Sequence, residues 1–343
     1  MAIRTVSRPE WAGRRQGTVK GTGGDPAILL GGPGDMAVPG PAEQRVRRLR
    51  AAAPPVVSVQ PMPAGVDPRT PVIVGAGQSL RHPEPEDDLA VLPEPADMVV
   101  EALRLAGQDS GSGDRLLRAA DSVRIVDTLS WRYRDLPGLV AERLGASPRQ
   151  LVRSTAGGNS PQMLVNHAAA AIARGELDIV LVAGAEAIYT RLLSRKTKAW
   201  LPWTRQPDDA TPPDVLGDDR PGTSEAEMAR SLLIPTQVYP VFESAIRAAA
   251  GESLDWHQEK VSRLWARFSE VAAKNPAAWS PVARTPEEIR TPSADNRMIG
   301  FPYLKLMNAN IQTDQAAALI VCSAAAARSA GVPEDRQVFI HAG

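Results

Sequence analysis

Residues 153–162, RSTAGGNSPQ, gather the types best suited to chemistry. Gly157 and Gly158 let a backbone approach another chain or a ligand closely. Ser160 followed by Pro161 reads as a helix start. A serine hydroxyl accepts from a first-turn N–H, and proline suits the first helical position. A glycine-rich loop feeding a buried helix N-terminus stabilises negative charge on a thiolate, an oxyanion or a phosphate. The same residues also describe a capped core helix with a tight entry, so both readings stand at this level.

Other candidates are weaker. Residues 75–80, GAGQSL, hold two of the three glycines of a dinucleotide loop, but RHPEPEDD follows where a helix would have to begin. A glycine turn after a buried strand is the expectation. The single cysteine, Cys322, lies in the apolar run QAAALIVC and is expected to be a small core residue. One cysteine excludes an internal disulfide framework, and a reducing, cytoplasmic setting follows as the default. Four histidines without metal-motif spacing point to no metal site, and His167, well into the helix body, is expected to be a packed or an interface residue. Arg191, Arg195, Lys196 and Lys198 form a basic run that is either a solvated face or an anion site.

The elements that must position these residues alternate. Strands are expected at 71–76, 122–126, 178–183 and 315–322, with helices at 96–106, 136–144, 160–174 and 323–330. Alternation of this kind implies an α/β fold with a mostly parallel sheet covered on both faces. Residues 196–235 are a polar excursion, followed by helices at 236–250 and 253–273. In the second, Val261, Leu264, Trp265, Phe268 and Val271 form a helical stripe that reads as core. The segment 337–343, QVFIHAG, echoes the opening PVIVGAG and reads as the first strand of a further domain.

Residues 1–68 are rich in Gly, Pro and Arg, with a basic cluster at Arg45, Arg47, Arg48 and Arg50, and read as a disordered leader. Met62, just ahead of the folded pattern, is a candidate initiator. The chain has 39 basic and 39 acidic residues, so no net field steers it toward nucleic acid. The N-terminus lacks the apolar core of a secretory signal. No apolar run reaches the roughly 18 residues needed to span a bilayer.

The order of these pieces resembles the thiolase superfamily. Gly175, Asp178, Ala183, Gly184 and Glu186 match its G-x-x-D-h-h-h-h-A-G-x-E strand. Asn308, Ala309, Asp314 and Ala316 to Ala318 match its N-A-x-x-x-x-D-G-A-A-A strand, with Gln315 in the glycine position. The resemblance runs from about residue 70 to 343 and is similar to the bacterial acetyl-CoA acetyltransferase-like proteins near the sterol-carrier-protein-x branch. It implies a layered thiolase-like fold whose C-terminal half is missing. The N-terminal domain would be 69–195 and 304–334, a helical loop domain 196–303, and the truncated domain 335–343. It also implies an acyl-CoA acyltransferase of the acetyl-CoA C-acetyltransferase family, acting in lipid or sterol acyl-CoA metabolism. The coenzyme A thioester would be substrate, with no permanently bound cofactor.

One departure governs the chemistry. A thiolase places a cysteine at the helix entry, where the dipole helps ionise it. Ungapped alignment back from Gly175 puts Gly158 there, and C-x-x-G spacing puts Thr155 there. Neither has a thiol. Ser160 offers a hydroxyl with no histidine in the loop to activate it. The resemblance further implies that Arg191, Arg195, Lys196 and Lys198 meet the phosphates of coenzyme A. Two alternatives follow: a coenzyme A-dependent retro-aldolase with Tyr189 or Tyr303 as base, or a non-catalytic acyl-CoA-binding or assembly subunit. The implied partners are acyl-CoA and either a second copy or a protein supplying the missing half.

Overall fold

Strand β1, Pro71–Arg81, continues well past the glycine turn expected at residue 75. The reason is steric. Helix α1, Pro95–Asp109, lies so close over the strand that a Cβ on Gly75 would fall 2.1 Å from the Ala106 carbonyl oxygen. One on Gly77 would fall 2.0 Å from that of Ala102. These glycines serve close packing inside a strand, not a turn. The computed structural model describes residues 65–220 and 222–342. The leader through residue 64, with its basic cluster and Met62, lies outside the described residues, as do Pro221 and Gly343.

After α1 come α2 (Asp114–Arg118), β2 (Ser122–Ile125), α3 (Leu136–Leu144), β3 (Gln150–Ser154) and α4 (Ser160–Ala173). Next are β4 (Ile179–Ala187) and α5 (Ile188–Thr197). The excursion holds β5 (Asp214–Leu216), α6 (Glu225–Met228), α7 (Pro235–Ala249), α8 (Leu254–Ala272) and α9 (Pro286–Arg290). A small pair, β6 (Met298–Gly300) and β7 (Tyr303–Leu304), leads to β8 (Asp314–Ser323), α10 (Ala324–Ser329) and β9 (Val338–Phe339). Gly145 and Gly175 end α3 and the α4 turn at φ 66° and 72°, in the left-handed region that glycine adopts without strain.

Among the described residues, seven strands form one sheet in the order β5-β3-β2-β4-β8-β1-β9. The first four run parallel, β8 is antiparallel between β4 and β1, and β1 therefore points the same way as β4. The fold is the expected α/β class, with five strands in one direction. The QVFIHAG segment, read from sequence as opening a further domain, here contributes β9 to the edge of this sheet, antiparallel to β1.

One core cluster joins the sheet to α1 and α3, and a second joins it to α4. Met98, Val99, Ala102, Leu103 and Ala106 of α1 are fully buried. At about 1.5–3 kcal/mol per large apolar side chain, this burial holds a helix that has no side-chain N-cap. The α8 stripe departs from expectation. Val261 and Trp265 pack on a small cluster around Ile289, Leu304 and Met307, but Leu264, Phe268 and Val271 are 48%, 53% and 68% exposed. Helical periodicity marks an apolar face and does not say what covers it.

A buried polar cluster ties α1, α3 and the excursion together. Glu94 accepts from Arg143 Nη2 at 2.5 Å, Tyr133 Oη at 2.9 Å, and the Thr204 N–H and hydroxyl at 2.8 and 2.7 Å. Burial pushes the Glu94 carboxyl up, yet hydrogen bonds from Thr204 and Arg143 outweigh it and hold the group below its ordinary range.

Two outcomes follow. Gly77→Ala should cost about 3 kcal/mol or abolish folding, whereas Gly158→Ala, whose added Cβ meets nothing within 4 Å, should stay within about 0.5 kcal/mol in urea unfolding. Glu94→Gln should cost about 3 kcal/mol at pH 7. Because the native carboxyl is depressed, that difference is full above the ordinary value of 4.5 and shrinks as pH falls through the lower native value. Unfolding curves at pH 7 and pH 4 measure it.

Candidate functional site

The parallel strands reverse their order at β2, with β3 on one side and β4 on the other. Helix α3 covers one face and α4 the other. In open α/β sheets such a switch point leaves a crevice at the carboxyl ends of the strands. A cavity of about 800 Å³ opens there, on the α4 face. Its floor follows from register: Ala76 pairs with Leu319 and Leu319 with Val182, and Gln78 pairs with Ala317 and Ala317 with Gly184. Small residues in the second row keep the floor low. The α4 wall is Pro161, Gln162 and Val165, and Asp127, Leu129, Asn310 and Ile311 close the rim.

Two carboxylates face this space with different fates. Glu186, ending the β4 motif, accepts from the Leu129 N–H at 2.7 Å, the Ser130 N–H at 2.8 Å and the Thr128 hydroxyl at 3.2 Å. Its lone pairs are used to shape the loop after β2. Asp127 keeps acceptor capacity, with Arg153 Nη1 at 3.0 Å from Oδ2 as its ion-pair partner. A third, Asp314, is buried at the start of β8 and accepts from the Tyr189 N–H at 2.8 Å and the Thr190 hydroxyl at 2.5 Å. Burial pushes its carboxyl above the ordinary range despite those bonds. It fixes the first turn of α5 to the sheet.

The helix-entry residues differ from the sequence reading. Asn159 is the N-cap and Ser160 is the first helical residue, so Ser160 does not cap. Its hydroxyl donates to the Thr155 carbonyl at 2.8 Å, which fastens the loop. Gly157 and Gly158 are exposed, and Thr155 is half-buried against Gly217. None of Thr155, Gly158 and Ser160 lines the cavity; the next residues, Pro161 and Gln162, do. His167 is exposed on the outer side of α4.

Cys322 is 0% exposed within β8, and burial, reinforced by the Asp178 charge, pushes its thiol up to about 12. It is core, as expected. Tyr303 donates its hydroxyl to Glu243, and burial with that bond pushes its phenol well above the ordinary range, which unfits it as a base. Tyr189 packs edge-on against Trp279 with ring centroids 5.3 Å apart. Arg191, Arg195 and Lys196 lie on α5 and Lys198 is its C-cap; none of the four lines the cavity. Among the described residues, no group of three or more His, Cys, Asp and Glu side chains is gathered that could hold a metal ion. No described helix is long and apolar enough to cross a membrane.

Asp127 was missed from sequence. Its signal is an acid directly after an apolar strand, VRIVD, whose meaning depends on knowing that β2 sits at the switch point.

No protein-family profile matches the chain, and no curated protein does. Solved structures do. The chain is 33% identical to a monomeric SCP2-thiolase-like protein type 1 from Mycobacterium smegmatis, with a TM-score of 0.63 over 80% of this chain and 50% of that one. It therefore spans half the length of that relative. The Ltp2–ChsH2(DUF35) aldolase aligns at 21% identity and a TM-score of 0.51, over 77% of this chain and 58% of that one, which shows the shared fold.

Cys322 supplies a direct check on this arrangement. With the chain folded at pH 8, iodoacetamide should leave the thiol unmodified for hours, and urea should release full labelling within minutes. Rapid labelling of the native chain would mean β8 is not the buried strand described.

Proposed function

We propose that this chain, related to the thiolase superfamily, binds an acyl-CoA thioester across the open face of its sheet and does so without thiolate chemistry of its own. One observation carries this reading. The cavity at the switch point has the first turn of α4 in its wall, while the chain's sole thiol is locked in β8. A helix N-terminus beside a thioester favours the charge that develops on its carbonyl oxygen. The cavity size suits a small acyl group with its pantetheine arm, within the usual range for ligand sites.

Without a nucleophilic cysteine, acyl transfer through a covalent thioester has no acceptor. The chemistry that fits Asp127 is retro-aldol cleavage of a β-hydroxyacyl-CoA. Asp127 takes the hydroxyl proton, the Cα–Cβ bond breaks, and a ketone or aldehyde leaves. The electron pair passes to the thioester as an enolate, which recovers a proton at Cα. Nothing else is consumed. The structural likeness to an aldolase assembled with a DUF35 protein supports this reading and extends it to a partner. The partner, or a second copy, would cover the open sheet face, and the setting would be cytoplasmic lipid or sterol acyl-CoA metabolism.

Turnover assays separate the possibilities. The full chain, alone and with its partner, should cleave a β-hydroxyacyl-CoA and leave acetyl-CoA unchanged. Asp127→Asn should lower cleavage about 100-fold with acyl-CoA affinity within about threefold of wild type. Binding without turnover would support the non-catalytic subunit instead. Absence of both binding and turnover would remove the proposal.

A further inference from the structure

The cavity floor carries two side chains to which the cleavage chemistry gives no task. Strand alternation sets Gly75 and Gly77 under α1, so Ala76 and Gln78 point to the opposite, open face. On β8, Ala316 and Ala318 pack into the core on the α1 side, so Gln315 and Ala317 point the other way. Gln78 pairs with Ala317, and Gln315 pairs with Leu80 on one side and Glu186 on the other. The two glutamines are therefore diagonal neighbours on one face, about 7–8 Å apart at the backbone, and side chains of their length can meet on one small group. Both line the cavity and both are exposed.

Neither carboxamide has a hydrogen-bond partner among the described residues. Other amides around the cavity are committed. Gln162 Nε2 donates to Asn166 Oδ1 at 2.7 Å, and Asn310 Oδ1 accepts from the Gln312 N–H at 2.9 Å. Elsewhere the floor is apolar or small, with Ala76, Leu319 and Val182 in one row and Ala317 and Gly184 in the next. Position 315 is also the glycine of the motif that β8 otherwise matches, so its carboxamide is an addition to a floor kept low.

A carboxamide offers two N–H donors and a carbonyl acceptor, and carries no charge. Two of them side by side suit a hydroxyl, which gives one hydrogen bond and receives another. A carboxylate fits badly. Among the described residues no Lys or Arg lines the cavity, whereas Asp127 and Glu186 both do, so an added anion would meet like charge without a counter-ion. Strand spacing sets the reach: β8 is two strands from β2 and β1 is three, so Gln315 and Gln78 stand about 10 and about 14 Å across the sheet from Asp127.

We propose that Gln78 and Gln315 select an acyl chain bearing a second, neutral hydroxyl about 10 Å beyond the carbon whose hydroxyl Asp127 engages. This rests on the acyl-thioester reading of the cavity and adds the substrate class, a β-hydroxyacyl-CoA hydroxylated again toward the far end of its chain.

Calorimetric titration of the full chain with three probes tests it: β-hydroxydecanoyl-CoA, its ω-hydroxy form and its ω-carboxy form. In an extended decanoyl chain the ω-oxygen lies about 10 Å from the β-carbon. Wild type should bind the ω-hydroxy chain about fivefold tighter than the plain one, and the ω-carboxy chain more weakly than either. Gln315→Met and Gln78→Met keep side-chain length and remove the amide. Each should bring the ratio of ω-hydroxy to plain binding to about one, with plain-chain affinity and the thermal transition unchanged. Equal binding of the plain and ω-hydroxy chains by wild type, tightest binding of the ω-carboxy chain, or a ratio kept in both variants overturns the proposal. So does an equal loss for all three probes in the variants, which would put the glutamines on the coenzyme A arm that the probes share. Failure of wild type to bind any probe removes the acyl-thioester reading as well, and only that outcome does.

Discussion

The contact between α1 and β1 is the constraint from which the arrangement follows. Two glycine positions without side chains let a helix backbone lie against a strand backbone, and the strand, with one irregularity between Ile73 and Gly75, pairs with β8 from Pro71 to Arg81. That long pairing sets β8 between β1 and β4 and brings Asp314 beneath the first turn of α5. Any side chain at Gly77 would lift α1 and shift the register. With α1 and α3 packed on one face, the other face among the described residues carries α4 over part of its width, and the cavity lies beside it.

The polar residues around that cavity divide the work by how many donors each one faces. Glu186 is saturated by the loop it shapes, and Asp314 by the helix turn it holds. Ser160 spends its hydroxyl on the Thr155 carbonyl. Asp127 lies on the rim and accepts from Arg153 Nη1 and from the Thr128 N–H, one to each carboxylate oxygen, which leaves it further acceptor capacity.

Much of the α/β frame was legible because its elements have local signatures. The helix over 136–144 has a proline in its first turn and ends at Gly145, and the structure bounds it at the same residues. The apolar runs of β4 and β8 are equally plain. What was not legible depended on partners far away in sequence. Gly75 and Gly77 look like a turn unless α1 is placed over them. The short strand β3, QLVRS, is half polar and is recognisable as a strand mainly through its pairing with β2. Ser160 looks like a cap until Asn159 is seen to precede the helix. The stripe on α8 looks like core, but only part of it meets apolar neighbours within the described chain. The motif residues of the thiolase resemblance marked where the sheet lies, whereas Asp127 carried no such mark.

The claim that the open sheet face receives the acyl thioester is most directly tested by photolabelling. An acyl-CoA bearing a diazirine on its acyl chain, irradiated with the full chain and mapped by peptide mass spectrometry, should modify residues within 76–79, 161–165 and 310–319, and excess unlabelled acyl-CoA should suppress the labelling. Modification concentrated instead on the exposed apolar side of α7 and α8, with those strands left untouched, would contradict the account.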